Sequence, residues 1–156
     1  MNIFIVDTDP RQAARDLCDK HVVKMTLETA QLLCTTAHTL NLPAPYNPTH
    51  TNHPCAVWAR SNQESFVWLL EHGLALCSEY TRRFNKIHKS EPIIKEAKVL
   101  KYLLPIGPLS PFALCVPYEY RQPDPVLSYR TYYNKAKASF ARWTAPAQPP
   151  TWFIGH

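Results

Sequence analysis

The stretch Leu17–His38, LCDKHVVKMTLETAQLLCTTAH, sets a histidine, a lysine, a glutamate and a glutamine inside an otherwise apolar, helix-forming run. It predicts a long helix from Asp19 to Leu40, separated from a short preceding turn near Leu17. At about 100° per residue, His21, Lys24, Glu28, Gln31, Thr35 and His38 fall within an arc of roughly 100°. Val23, Leu27, Ala30, Leu33, Cys34 and Ala37 occupy the other side. Two readings of that polar stripe are open. Amphipathic helices have polar faces, and most of those only meet water. A solvated face, however, usually repeats Glu, Lys and Arg, whereas this one mixes the residues of acid–base chemistry.

The spacing sharpens the second reading. His21 and Glu28 lie seven residues apart, which is two turns and about 10 Å on one side of a helix. That separation brackets a nucleotide sugar. The expectation is a concave, partly enclosed pocket lined by His21, Lys24, Glu28 and Gln31, with His53 arriving from the start of a second helix. Lys24 forms an imine if it is buried beside Glu28; an i,i+4 ion pair is the simpler account of the same spacing.

Outward from this helix, proline does most of the punctuation, with fifteen prolines against three glycines. DTDPRQAA supplies an Asp-Pro helix start. MNIFIV reads as a short strand or an extended arm, and NLPAPYNPTHTNHP as a proline-studded loop. A second long helix is expected from about Cys55 to Phe84, with Phe66, Leu69, Leu70, Leu74, Cys77 and Tyr80 at helical spacing. SEPIIKEAKVLKYL reads as a short capped helix, and DPVLSYRTYYNKAKASFARW as a final one. The predicted fold is therefore mainly α: one compact helical domain over residues 1–156, with two long helices, proline-rich loops and an extended tail over 144–156.

Composition bounds the function. The chain has 156 residues, 46% of them hydrophobic, and no apolar run approaches the roughly 18 residues of a membrane span. MNIFIVDTDP has no basic start and two early aspartates, unlike a signal peptide, so a cytoplasmic protein is expected. Five scattered cysteines without a CxxC pair predict reduced, mostly buried thiols and no zinc site. His50 and His53 lack a partnering carboxylate–histidine pattern, so neither a metal nor a cofactor is expected. The net charge of +5 favours a phosphate-bearing partner. YTRRFNKIHKSE concentrates Arg82, Arg83, Lys86, His88 and Lys89. That cluster is either a solvated helix end or a phosphate-contacting edge.

LCDKHVVKMTLE matches L-x-D-x-H-x6-E and so resembles the first helix of the phage pyrimidine-dimer DNA glycosylases of the endonuclease V type. His53 before a long helix ending RRFN, and VPYEYR through PPTWF, resemble that family's second helix and its C-terminal helix and tail. The resemblance implies a compact all-helical fold and a metal-free glycosylase with abasic-site lyase activity on damaged duplex DNA. Glu28 and His21 fall on its catalytic-site positions. Gln31, His53, Arg60, Asn62, Arg82, Arg83, Lys86, Lys89 and Trp152 are the expected contacts to nucleic acid or nucleotide. The family's nucleophile is the α-amine of a small residue exposed after methionine removal. Here Asn2 follows Met1, and Leu27 and Gln31 replace family arginines. The amine is thus either the N-terminal one or Lys24. A protein that holds a nucleotide or signalling nucleotide without cutting it, and a helical interaction module, are the competing functions.

Overall fold

The computed structural model describes residues 1–155. Helix α1 spans Pro10–Asp16, α2 Asp19–Thr39, α3 Pro54–Ala59, α4 Gln63–Phe84, α5 Glu91–Glu96 and α6 Pro125–Tyr132. Asp9, His53 and Asp124 cap α1, α3 and α6, each accepting the N–H two residues on, with proline next in sequence. There the missing proline N–H falls where the helix needs no donor. Among the described residues there is no strand, and Met1–Val6 form an extended arm.

Two expected helices are shorter. The span from Cys55 to Phe84 is broken at Arg60–Asn62. Ser61 Oγ donates to the Trp58 carbonyl, and Asn62, fully extended, accepts the Ser65 N–H at 2.9 Å and starts α4 anew. The last helix widens into a π turn over Tyr133–Lys137 and stops before reaching Trp143. The short helix α5 continues as 3-10 turns over Ala97–Leu103.

The long helices α2 and α4 pack against each other, with α1 and α5 also on α4. Gly73 sets how close they come: a Cβ there would lie 2.6 Å from Thr29 Cγ2 and 3.2 Å from Ile94 Cγ2. Leu33, Phe66, Leu69, Leu76, Ile94 and Tyr129 fill the core of this single all-α domain. No helix among the described residues is long and apolar enough to cross a membrane.

The polar stripe of α2 turns out to be mostly interior. His21, Glu28 and Thr35 are buried, and Gln31 and His38 are half-buried; the solvent face is Lys20, Val23, Lys24 and Leu27. The reason lies in what covers the helix. The arm and the loop of residues 40–53 lack regular structure, so their backbone polar groups need side-chain partners once buried. Glu28 Oε2 accepts the Asn2 N–H at 2.9 Å. Thr35 Oγ1 accepts from Thr49 N and donates to Thr49 O, each at 3.1 Å, and His38 Nε2 lies 3.0 Å from the Tyr46 carbonyl. The tail is held in the same manner: Asp19 accepts from Thr144 N and Oγ1 at 3.1 and 2.8 Å. The stripe is polar toward backbone rather than toward water.

Candidate active site

The site is built where the arm meets Glu28. Phe4 has φ +58°, a left-handed conformation that costs an L-residue about 1–2 kcal/mol. Its buried ring holds it there, stacking on His21 at 4.4 Å and meeting Tyr133 edge-on at 5.8 Å. Before that kink, Asn2 is pinned from three sides. Its Oδ1 accepts from Ile3 N at 2.8 Å and from Tyr129 Oη at 3.0 Å, and its Nδ2 donates to the Cys115 carbonyl at 2.9 Å.

This places two amines on one carboxylate. The Met1 α-amine lies 4.0 Å from Glu28 Oε2, and Lys24 Nζ lies 3.8 Å from Oε1. Their surroundings differ: the Lys24 side chain is 62% exposed, the Met1 side chain 2%. Lys24 is a water-facing i,i+4 partner and lacks the burial that an imine-forming lysine was expected to have. The Met1 side chain packs inside, and its α-amine lies beside the buried carboxylate.

His21 lies apart from this carboxylate. It is buried between the rings of Phe4, Tyr133 and Phe140, and its Nδ1 is 2.8 Å from Tyr133 Oη. Burial, reinforced by the charges of Lys137, Lys24 and Lys20, pushes its pKa down to about 3. Tyr133 Oη already accepts from Cys18 N at 2.9 Å, which leaves its hydrogen for Nδ1. His21 is thus a neutral platform under Phe4, which corrects its expected place in a shared pocket.

A cleft of about 630 Å³ opens beside Lys24, lined also by Leu27, Tyr46, Tyr80, Lys86 and Lys89. Its walls combine exposed cations with apolar and aromatic surface, the pairing that a nucleic-acid backbone with an adjacent base requires. Glu28, His21 and Gln31 do not line it. The RRFN cations divide. Arg83 has no exposed side-chain surface; its guanidinium contacts Glu79 and Asp19 and donates to the Leu17 and Arg15 carbonyls at 2.7 and 2.8 Å. It is an internal brace, not a phosphate contact. Arg82 is 42% exposed but holds Glu79 through two bonds, at 3.0 and 2.7 Å.

Other expected contacts also carry structural duties. Asn62 is a buried helix cap whose Nδ2 donates to the Pro108 carbonyl and Ser110 Oγ, both at 2.8 Å. Arg60 braces the proline-rich loop through the Thr51 carbonyl at 2.7 Å. Trp152 donates to Asp16 Oδ2 at 2.6 Å and fastens the tail. Gln31 stays half-buried on α2.

His53 does come to the arm, bringing partners that chain spacing did not reveal. Cys55 Sγ lies 3.4 Å from Cys115 Sγ, and one ligand atom from each of His53, Cys55 and Cys115 lies within 4.8 Å of the others. The N-terminal ammonium acts on all three. The hydrogen bond from Cys55 chiefly lowers the Cys115 thiol to about 7, while Cys55 moves up. Burial lowers the pKa of His53, so its imidazole is neutral at neutral pH. Cys115 is sixty positions from Cys55, and only the folded chain joins them.

No curated protein and no solved structure matches this chain. The family model described as pyrimidine dimer DNA glycosylase matches residues 1–92. That span is more than half of the 156 residues and holds the arm, Glu28, Lys24 and the cations of the cleft. By that match the chain belongs to the pyrimidine dimer DNA glycosylase family.

Proposed function

We propose that this protein is a pyrimidine-dimer-type DNA N-glycosylase with abasic-site lyase activity, working through an imine and Glu28. One observation carries the reading: a buried carboxylate with the arm's α-amine 4.0 Å away. Lys86 and Lys89 hold the backbone of damaged duplex DNA, and the lesion nucleotide leaves the stack to reach the arm. The neutral amine attacks C1′, and the glycosidic bond breaks with its electron pair leaving on the base. The C1′–O4′ bond then opens to an iminium, with O4′ taking the electron pair and the proton that Glu28 removed from the amine. The Glu28 carboxylate next accepts a C2′ proton as the 3′-phosphate leaves with its C–O electron pair, and water adds to the iminium carbon to release the sugar and restore the amine. Glu28 takes the proton from the attacking amine and stabilises the cationic sugar.

The reacting amine is the α-amine of the arm rather than Lys24. Removal of Met1 would preserve that assignment, because Asn2 N, 2.9 Å from Oε2, then becomes the α-amine. A second reading, nucleotide binding without cleavage, draws on the buried Met1 side chain beside Glu28 and on Leu27 and Gln31 in place of family arginines.

Borohydride trapping on an abasic-site duplex, with mass mapping of the adduct, tests the proposal. An adduct on the N-terminal peptide is expected. An adduct on Lys24 overturns the choice of amine, and no adduct overturns the lyase in favour of binding alone.

A further inference from the structure

We propose that His53, Cys55 and Cys115 form a binding site for one thiophilic divalent cation of the zinc class, next to the N-terminal arm. The donor set is one imidazole and two thiols drawn from two parts of the chain: the start of α3 and the segment before α6. Two thiolates and a histidine, with a fourth position left open, is a recurring three-ligand arrangement for zinc.

The spacing favours a cation over a cystine. Zinc–sulfur bonds of about 2.3 Å in a tetrahedron put two sulfurs about 3.8 Å apart. Cys55 and Cys115 stand at 3.4 Å, so the pair has to open by only about 0.4 Å. A disulfide would draw the sulfurs in to about 2.0 Å, a closure of about 1.4 Å. The imidazole is in reach of both sulfurs, within 4.8 Å. Among the described residues, Cys18, Cys34 and Cys77 belong to no such group of donors.

The site also has a structural consequence. The Cys115 carbonyl holds Asn2, and the Cys115 N–H donates to Tyr129 Oη at 3.0 Å. A cation on Cys115 therefore clips α3 to the segment that holds the arm, and binding to the folded state raises the melting temperature.

The test is a titration of the reduced, full-length protein with Co²⁺ alone, anaerobically, followed by displacement with Zn²⁺. A 1:1 complex is expected, with thiolate-to-cobalt charge-transfer absorption and a higher melting temperature. Cys115→Ser should remove the charge transfer of its thiolate and weaken binding by at least about 100-fold, more than loss of an outer partner costs. His53→Ala should weaken binding likewise, and Cys34→Ser should leave it unchanged. Helical circular dichroism confirms that each variant is folded. No cobalt complex in the reduced protein overturns the proposal. So does a complex that survives both Cys115→Ser and His53→Ala, or one lost only with Cys34→Ser. Cross-linking of Cys55 to Cys115 in air, with no Co²⁺ uptake by the reduced protein, would make the pair a redox couple instead.

Discussion

Arg83→Met separates bracing from DNA contact within the basic segment. The substitution keeps most of the apolar stem and removes the guanidinium. In the folded protein that group is wholly buried and meets Glu79, Asp19 and the carbonyls of Leu17 and Arg15. It thereby ties the α1–α2 junction to the last turn of α4. Breaking a buried ion pair by removing one partner costs about 3–5 kcal/mol, because the other partner stays desolvated. Here Arg82 still grips Glu79 through two bonds, and Asp19 keeps Thr144, so the lower end, about 3 kcal/mol, applies. For a domain of this size each kcal/mol shifts the melting temperature by about 2–4 °C, giving a fall of about 6–12 °C. Thermal and guanidinium melts of the DNA-free protein measure it. The salt dependence of DNA binding, taken well below the variant's transition, should equal that of the wild type. A melting temperature within about 2 °C of wild type together with a flattened salt slope would refute the brace and return Arg83 to the phosphate contacts.

Lys86 and Lys89 should behave in the opposite way. Replacing both by glutamine should leave the melt unchanged and reduce the slope of log affinity against log salt by about 1.8, roughly 0.9 per phosphate contact; an unchanged slope assigns them to solvent. Glu28→Gln keeps an acceptor for the Asn2 N–H but loses the charge. It should cut single-turnover strand cleavage by at least about 100-fold with DNA affinity retained, and near-normal cleavage removes Glu28 from the mechanism. Gly73→Val should destabilise by at least about 1–3 kcal/mol through contact with Thr29 and Ile94, checked by denaturant midpoint. His21 is held neutral in the fold down to about pH 3, whereas an unfolded histidine titrates near 6.5. The unfolded chain therefore binds the extra proton between those values, so this stabilisation is complete above about 6.5 and lost as pH falls toward 3. His21→Gln should remove a slope on the order of 1.4 kcal/mol per pH unit from wild type over that window, and parallel stability–pH curves would contradict it.

Helix starts were legible because Asp9-Pro10 and Asp124-Pro125 act locally: cap and proline lie side by side in sequence. The break before α4 was not, because the apolar period runs on through Trp58, Phe66 and Leu69 and masks the cap at Asn62. Sequence also could not divide Arg83 from Lys86. Both are cations at one helix end, but the turn of α4 points the first toward Leu17 and Asp19 and leaves the second beyond the left-handed cap at Asn85. Cys115 was illegible for a stronger reason. Its partner lies sixty positions away, and no local period or spacing encodes that meeting.

The α2 stripe shows why residue types can be read correctly and their surroundings missed. His, Lys, Glu and Gln were an unusual mix for a wet face; His21 and Glu28 are buried and Gln31 half-buried, while Lys24 does face water. The partners of Glu28, Thr35 and His38 are backbone groups of segments without secondary structure, which sequence patterns do not place. At Glu28 the same contact serves fold and site together. A buried carboxylate is expensive unless hydrogen-bonded or paired. The arm supplies both remedies, an N–H at 2.9 Å and an amine at 4.0 Å. The Phe4 kink is tolerated because the ring it buries on His21 anchors the delivery. His21, which the resemblance puts at a catalytic-site position, packs instead on Phe4 of the arm, whose α-amine lies 4.0 Å from Glu28.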